Sequence, residues 1–228
     1  MKLYIVYGSE SLLLNKFYEE NKENFFIRIY NNKIPEKKKN FFDIQINNFE
    51  SDFNDLHKSI KKNITKIIFL GVGFLADSNL FFSLEKKEMN KLINANISNY
   101  LFITKIILPV MVKISSGKFI YLSSFRSQIS TRGTAIYSAS KAFGESFFKT
   151  IGQEYARFGI TSHIIRMGYF EGRLLHNLTE ERRLKIFKKI SMGRLGDAND
   201  LLSAIKTAEN LDYNNSGIIE MNGGLDFE

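Results

Sequence analysis

Strand-like and helix-like segments alternate along the whole chain, and this order constrains the fold more than any other feature. Strands are predicted at residues 2–7, 25–30, 41–46, 66–70, 118–123, 161–167 and 217–222. Strands that alternate with helices indicate a parallel sheet with helices on both faces. We therefore expect an α/β fold with a doubly wound parallel sheet of about seven strands, formed by a single domain over residues 1–228.

Helices are predicted at residues 12–24, 51–62, 87–113, 137–158, 179–190 and 198–211. Pro109 lies near the end of the third helix, where we expect an interruption. Residues 31–40 alone separate the second strand from the third, and Pro35 is among them. A parallel crossover normally needs about a dozen residues or more, so the helix between these two strands is predicted to be missing.

The composition argues against several classes of protein. There is no cysteine for disulfides or thiol chemistry, and His57, His163 and His176 lack the spacing of metal ligands. The longest uncharged apolar run, residues 67–76, is too short to span a bilayer, and the first residues do not resemble a signal peptide. We expect a cytoplasmic protein with no metal and no membrane partner. The net charge of +8 accompanies abundant Lys, Asn, Ile and Phe, which favours a compositional bias over nucleic-acid binding.

Tyr137 and Lys141 carry the strongest chemical signal. They lie four residues apart on a predicted helix, so their side chains share one face. An ammonium beside a phenol favours the ionised phenol, so we expect Lys141 to lower the pKa of Tyr137 from about 10. Such a tyrosine can pass a proton to or from an alcohol or ketone. A chain with ten tyrosines contains about one such pair by accident, so the surrounding residues matter.

Two further residues support the pair. Ser124 ends a strand-like run thirteen residues before Tyr137, and Asn96 lies in the helical stretch before that strand. In this order the four residues resemble the Asn, Ser, Tyr and Lys of the short-chain dehydrogenase/reductase family. The resemblance implies a Rossmann-like fold, a homodimer or homotetramer, and a catalytic set of Asn96, Ser124, Tyr137 and Lys141.

The resemblance also implies a reaction, the NAD(P)-dependent interconversion of a ketone and a secondary alcohol by hydride transfer. The serine would hold the substrate oxygen, and the tyrosine would act as general acid or base. The lysine would favour tyrosinate and hold the nicotinamide ribose, and the asparagine would link the lysine to a proton relay. Two alternatives stay open: a non-catalytic binding or assembly relative, and a sugar-nucleotide isomerase or a dehydratase that retains its cofactor.

The turn after the first strand departs from the family pattern Thr-Gly-x-x-x-Gly-x-Gly. Gly8 matches the first glycine, but Leu12 and Leu14 replace the second and third, and Glu10 would repel phosphate. Either the turn has shifted and still binds the diphosphate, with hydroxyl donors from the two serines at positions 9 and 11, or dinucleotide binding is lost. The four catalytic residues have no evident use without a nicotinamide, which favours the first interpretation.

By resemblance, the cofactor would contact the carboxyl ends of the strands. Together with Tyr137 and Lys141, the residues predicted to bind it are Gly8, Ser9, Ser11, Leu13, Asn31, Asn32, Lys33, Gln45, Ile46, Gly71, Val72, Met167, Gly168 and Phe170. Phe170 would meet the carboxamide of the nicotinamide or would only pack. The second strand ends without an acid for the ribose hydroxyls of NAD, and Lys33 would suit a 2′-phosphate, so NADP(H) is predicted over NAD(H).

The segment after the sixth strand is basic, with Arg173, His176, Arg182, Arg183, Lys185, Lys188 and Lys189. These charges would suit an anionic small molecule, such as a nucleotide-linked sugar or a phosphopantetheine-borne acyl group. An amphipathic helix with its charges in solvent explains the same pattern. Arg126 and Arg132, which precede Tyr137, favour the anionic substrate.

Overall fold

The structure is a computed structural model that describes residues 1–30, 40–60, 64–129, 131–172 and 179–226. Its single seven-stranded sheet is parallel throughout and has the order β3-β2-β1-β4-β5-β6-β7. The strands are β1 (Lys2–Tyr7), β2 (Phe25–Tyr30), β3 (Phe41–Gln45), β4 (Lys66–Gly71), β5 (Gly117–Ser124), β6 (Ile160–Met167) and β7 (Gly217–Met221). The predicted doubly wound fold is confirmed. The strand order reverses between β1 and β4, where such sheets leave a crevice at the carboxyl ends of the strands.

Helices cover both faces of this sheet. They are α1 (Asn15–Glu20), α2 (Phe49–Ile60), α3 (Lys86–Ile93), α4 (Asn99–Ile114), α5 (Ala135–Tyr155), α6 (Glu180–Lys189) and α7 (Ala198–Asn210). The helix predicted at 12–24 is shorter than expected, because it starts as a 3₁₀ turn and α1 ends at Glu20. The side-chain amide of Asn21 donates to the carbonyl of Phe17 at 2.8 Å, which satisfies a helix-end carbonyl. The predicted absence of a helix between β2 and β3 concerns residues 31–39, which lie outside the described residues.

The helical stretch predicted at 87–113 contains an irregular turn, but the interruption predicted near Pro109 is wrong. Pro109 lies inside α4 and is exposed. The irregularity is a π-turn, Asn94–Ser98, between α3 and α4. Single π-turns within helices are frequent at functional sites, and this one contains Asn96. By length and composition alone the stretch Lys86–Ile114 could cross a membrane, yet part of it packs in the core of this fold.

Apolar layers on both faces of the sheet hold the strand ends in place. Side chains alternate along β1, so that Leu3, Ile5 and Tyr7 face the layer that contains α4 and α5. Tyr4 and Val6 face the opposite layer, which contains α1 and α7. Strands buried on both faces read as continuous apolar runs, as the sequence of β1 does.

Candidate active site

The start of α5 is fixed by a carboxylate from another part of the chain. Asp77, in the loop after β4, is buried and accepts hydrogen bonds from the backbone N–H groups of Ile136 and Tyr137, at 3.0 and 2.9 Å. These are donors that a helix start leaves unsatisfied, and a negative charge there is favourable. Sequence reasoning missed Asp77. The available signal was that Asp77 is the only acidic residue between positions 64 and 84.

Lys141 is buried one turn further along α5, with a side chain that is 2% exposed. Its Nζ donates to the carbonyl of Leu122 at 2.7 Å. The same atom lies 5.0 Å from the ring centroids of Phe74 and Tyr121 and 5.7 Å from that of Tyr137. Burial lowers the pKa of Lys141 to about 7, although a nearby carboxylate acts to raise it. Lys141 therefore gives up its proton more easily than a lysine in solvent.

Tyr137 is buried beside Ser124, which ends β5. Burial raises the pKa of the Tyr137 phenol, while a hydrogen bond with Ser124 and the charge of Arg126 act to lower it. The expected lowering by Lys141 is not found, because desolvation of the phenolate is the largest effect. The hydroxyl of Ser124 also accepts the backbone N–H of Arg126 at 3.3 Å. The structure thus brings Ser124, Tyr137 and Lys141 together at the end of β5.

Asn96 belongs to the same site through the loop after β4. Its Oδ1 accepts the N–H of Leu75 at 2.8 Å, and its Nδ2 donates to the carbonyl of Leu75 at 2.7 Å. This loop also supplies Asp77 to α5 and Phe74 to the ring of Tyr137, whose centroids are 5.5 Å apart. The Asn96 side chain therefore holds the loop that borders Tyr137 and Lys141. Its part in a proton relay remains a prediction.

The turn after β1 keeps features that suit a diphosphate. Gly8 has a left-handed φ of +84°, and a Cβ there would lie 2.1 Å from the nitrogen of Gly73. The side chain of Leu12 is 61% exposed, whereas Leu14 is buried in the layer beneath α1 and α7. The 3₁₀ turn that starts at Leu12 has no side-chain cap from Ser11, so its first N–H groups suit an anion. The turn therefore offers backbone donors that suit a diphosphate, while Leu12 is exposed and Leu14 belongs to the core.

The other predicted cofactor residues divide into three groups. Those that follow or end strands β1, β3, β4 and β6 at the carboxyl edge of the sheet are Ser9, Ser11, Leu13, Gln45, Ile46, Gly71, Val72, Met167 and Gly168. Phe170 packs against Gly196, where an added Cβ would lie 2.6 Å from its ring, and its contact with the nicotinamide stays a prediction. Asn31, Asn32 and Lys33 lie outside the described residues.

The family model described as short chain dehydrogenase matches residues 19–183, which is well over half of the chain. The match includes Asn96, Ser124, Tyr137 and Lys141 but not the turn at Gly8. The chain belongs to the short-chain dehydrogenase family, as its motifs predicted, and the predicted enzyme class, an oxidoreductase of this family, is confirmed.

Two relatives and one solved structure show how far the similarity extends. The 3-oxoacyl-[acyl-carrier-protein] reductase FabG of Buchnera aphidicola subsp. Schizaphis graminum is 26% identical over 196 residues, which cover 85% of this chain and 80% of the relative. The reductase of the same name from Salmonella typhimurium is 28% identical over 149 residues, 64% of this chain and 61% of the relative. A short-chain dehydrogenase from Leptospira borgpetersenii with bound NAD+ has a TM-score of 0.82 at 17% identity, and the match covers 98% of this chain and 92% of that one. At this identity the structural likeness shows the fold alone.

Proposed function

We propose that this protein is an NAD(P)-dependent oxidoreductase that interconverts a ketone and a secondary alcohol. The observation that carries the proposal is the buried phenol of Tyr137, which lies beside Ser124 at the end of β5 and has its ring centroid 5.7 Å from the Nζ of Lys141. The turn from Gly8 to Leu13 would hold the diphosphate of the cofactor on its backbone N–H groups. A bound nicotinamide supplies or accepts the hydride.

The protein's own residues would handle the proton. The hydroxyl of Ser124 accepts from a backbone N–H and would donate its own hydrogen to the substrate oxygen when a substrate is bound. Because burial raises the pKa of Tyr137, the phenol stays protonated at neutral pH and is suited to act as the general acid of a reduction. A protonated Lys141 would stabilise the phenolate that this transfer leaves behind.

Cofactor binding is the first test of this function. Fluorescence titration with NADPH and NADH should show binding of both, with NADPH preferred by about tenfold, since β2 ends at Tyr30 without an acid for the ribose of NAD. Arg28, near this end, forms a bidentate ion pair with Asp43 and is not available to a 2′-phosphate, so the preference would rest on Lys33. If neither nucleotide binds, the non-catalytic alternative replaces the enzyme. A nucleotide that copurifies tightly would support the isomerase alternative.

We further propose an anionic substrate, carrier-linked or nucleotide-linked. The two relatives are named as reductases of a 3-oxoacyl group on an acyl-carrier protein, and such a carrier-linked substrate belongs to the proposed anionic class. Arg126 provides a structural reason. Its guanidinium lies over the ring of Phe125, with 5.2 Å between its Cζ and the ring centroid, and its Nη1 is buried with no hydrogen-bond partner among the residues that the structure describes. A buried guanidinium nitrogen near Tyr137 is suited to an anionic group on the substrate.

Replacing Arg126 by Met should raise KM for an anionic substrate about tenfold or more, because a charge-assisted hydrogen bond is lost. The turnover of a neutral ketone should change much less, because such a substrate makes no charged contact with Arg126. Steady-state kinetics with both substrates measures the difference. The matched control is Arg157→Met, since Arg157 is exposed in the 3₁₀ turn Ala156–Phe158, before the amino end of β6 and away from the site. Equal losses for charged and neutral substrates would contradict an anion-binding role for Arg126.

The proposed assembly is a homodimer or homotetramer in the cytoplasm. Its support is the apolar surface of α4 and α5, where Leu101 and Phe102 are exposed and Phe143 stacks on Phe147 with 5.6 Å between centroids. Phe148 does not belong to this surface, because it is fully buried in the core. A monomeric mass in light scattering would rule the assembly out.

A further inference from the structure

Glu145 is the third member of a stripe on α5. It lies one turn beyond Lys141 and two turns beyond Tyr137, so all three side chains share the face that packs on the sheet. Glu145 is buried, and it faces polar residues on adjacent strands. Ser123 of β5 is in register with Arg166 of β6, and Arg166 with Glu220 of β7. A charged cluster therefore lies under the helix that carries the catalytic pair.

The carboxylate of Glu145 accepts four hydrogen bonds. Its Oε1 accepts from the hydroxyls of Ser123 and Ser127, both at 2.6 Å, and from Nε of Arg166 at 2.9 Å. Its Oε2 accepts from Nη2 of Arg166 at 2.6 Å, while Nη1 of the same arginine pairs with Glu220. Burial alone would raise the pKa of Glu145, but the hydrogen bonds from these partners hold it below its usual value. Glu145 is therefore ionised in the folded protein.

Stability alone is a weak explanation for this cluster. Apolar residues of similar volume can replace a buried ion pair with little loss of stability, or with a gain. An apolar group could not bind two hydroxyls at once, however. The two hydroxyls belong to Ser123 and Ser127, which lie on either side of Ser124, at the end of β5 and at the end of the following 3₁₀ turn.

We propose that Glu145 is a positioning residue that fixes Ser124 against Tyr137 and Lys141. It binds the hydroxyls on both sides of Ser124 from the helix that carries the other two residues, so the three catalytic groups form one rigid unit. Arg166 holds the carboxylate in the orientation that both hydroxyls need. The proposal rests on the proposed function, because it concerns the geometry of the proton donor and of the serine that holds the substrate oxygen.

The test removes the two hydroxyls and leaves the ion pair intact. A Ser123→Ala, Ser127→Ala double variant keeps both residues of the Glu145–Arg166 ion pair. We expect kcat to fall about tenfold or more, because small displacements of catalytic groups slow a reaction strongly. The dissociation constant of NADPH and KM should stay close to the parental values, and the thermal midpoint should fall by several degrees, because two hydrogen bonds to a buried carboxylate are lost. The control is Thr150→Ala, which removes an exposed α5 hydroxyl that donates only to the carbonyl of Ser146.

Glu145→Gln provides a second measurement, since it keeps an acceptor for the serines but leaves Arg166 without its buried charge partner. We expect it to lower the thermal midpoint and to retain more turnover per folded molecule than the double serine variant.

A double serine variant with parental kcat, assayed beside an inactive Tyr137→Phe variant, would overturn the positioning role and leave the proposed function intact. A drop in thermal midpoint that accounts for the whole loss of activity would also overturn it. If Tyr137→Phe itself retains parental activity, the proposed function fails.

Discussion

Replacement of Tyr137 by Phe is expected to lower kcat about 10³-fold, because proton transfer by a positioned side chain contributes roughly 10² to 10⁴ to a rate. The substitution removes only the hydroxyl. The ring would still pack against Phe74, at 5.5 Å between centroids, and would still face the Nζ of Lys141. The fold and the affinity for NADPH should therefore be close to those of the parent.

Steady-state turnover and a fluorescence titration of NADPH, made on the same preparation, separate these effects. Tyr155→Phe is the matched control, because Tyr155 is on the same helix, away from Ser124 and Lys141, and is only partly buried. It should keep parental turnover. Parental activity in the Tyr137 variant would remove this phenol from the mechanism, whatever the cofactor titration shows.

The strands could be predicted from the sequence because each is an apolar run bounded by polar or small residues. All seven predicted strands agree with the observed bounds to within one residue at each end. Helix ends were less predictable, since they depend on local hydrogen bonds. The first helix ends before its predicted end, and the side-chain amide of Asn21 satisfies one of its last carbonyls. In the third helical stretch the irregularity is the π-turn that contains Asn96, whereas Pro109 lies within a regular helix.

Within the site, sequence reasoning found the residues that lie in one linear motif and missed those that act from a distance. Ser124, Tyr137 and Lys141 have fixed spacings along the chain. Asp77 reaches the start of α5 from about sixty residues upstream, and only the packing of the loop after β4 brings it there. Arg166 had no visible role until the register of β5 and β6 set it beside Ser123.

The direction of the Tyr137 pKa shift shows a second limit of sequence reasoning. A motif reveals that a lysine is near a phenol, and from this we expected a lowered pKa. It does not reveal that both groups are buried. Burial disfavours the charged form of each, so it raises the pKa of Tyr137 and lowers that of Lys141 to about 7.

Replacement of Gly8 by Ala is expected to reduce the free energy of unfolding by about 4 kcal/mol, at the upper end for a single substitution. A Cβ at this position would lie 2.1 Å from the nitrogen and 2.2 Å from the Cα of Gly73. That backbone cannot easily move, because the N–H groups of Val72 and Gly73 both donate to the carbonyl of Tyr7, at 2.9 and 2.8 Å. The new methyl group would therefore push apart β1 and β4 at the point where the strand order reverses.

Gly193→Ala is the matched control, because it separates backbone strain from the collision. Gly193 also has a left-handed φ, +64°, but no atom of the described part of the chain lies within 4 Å of its added Cβ. Strain alone costs about 1 to 2 kcal/mol, so this variant should lose only that much. Urea unfolding of both variants measures the difference, which we expect to be about 2 to 3 kcal/mol. Equal losses would show that the contact between Gly8 and Gly73 contributes nothing, and that a side chain at position 8 would be tolerated where the cofactor's diphosphate is proposed to bind.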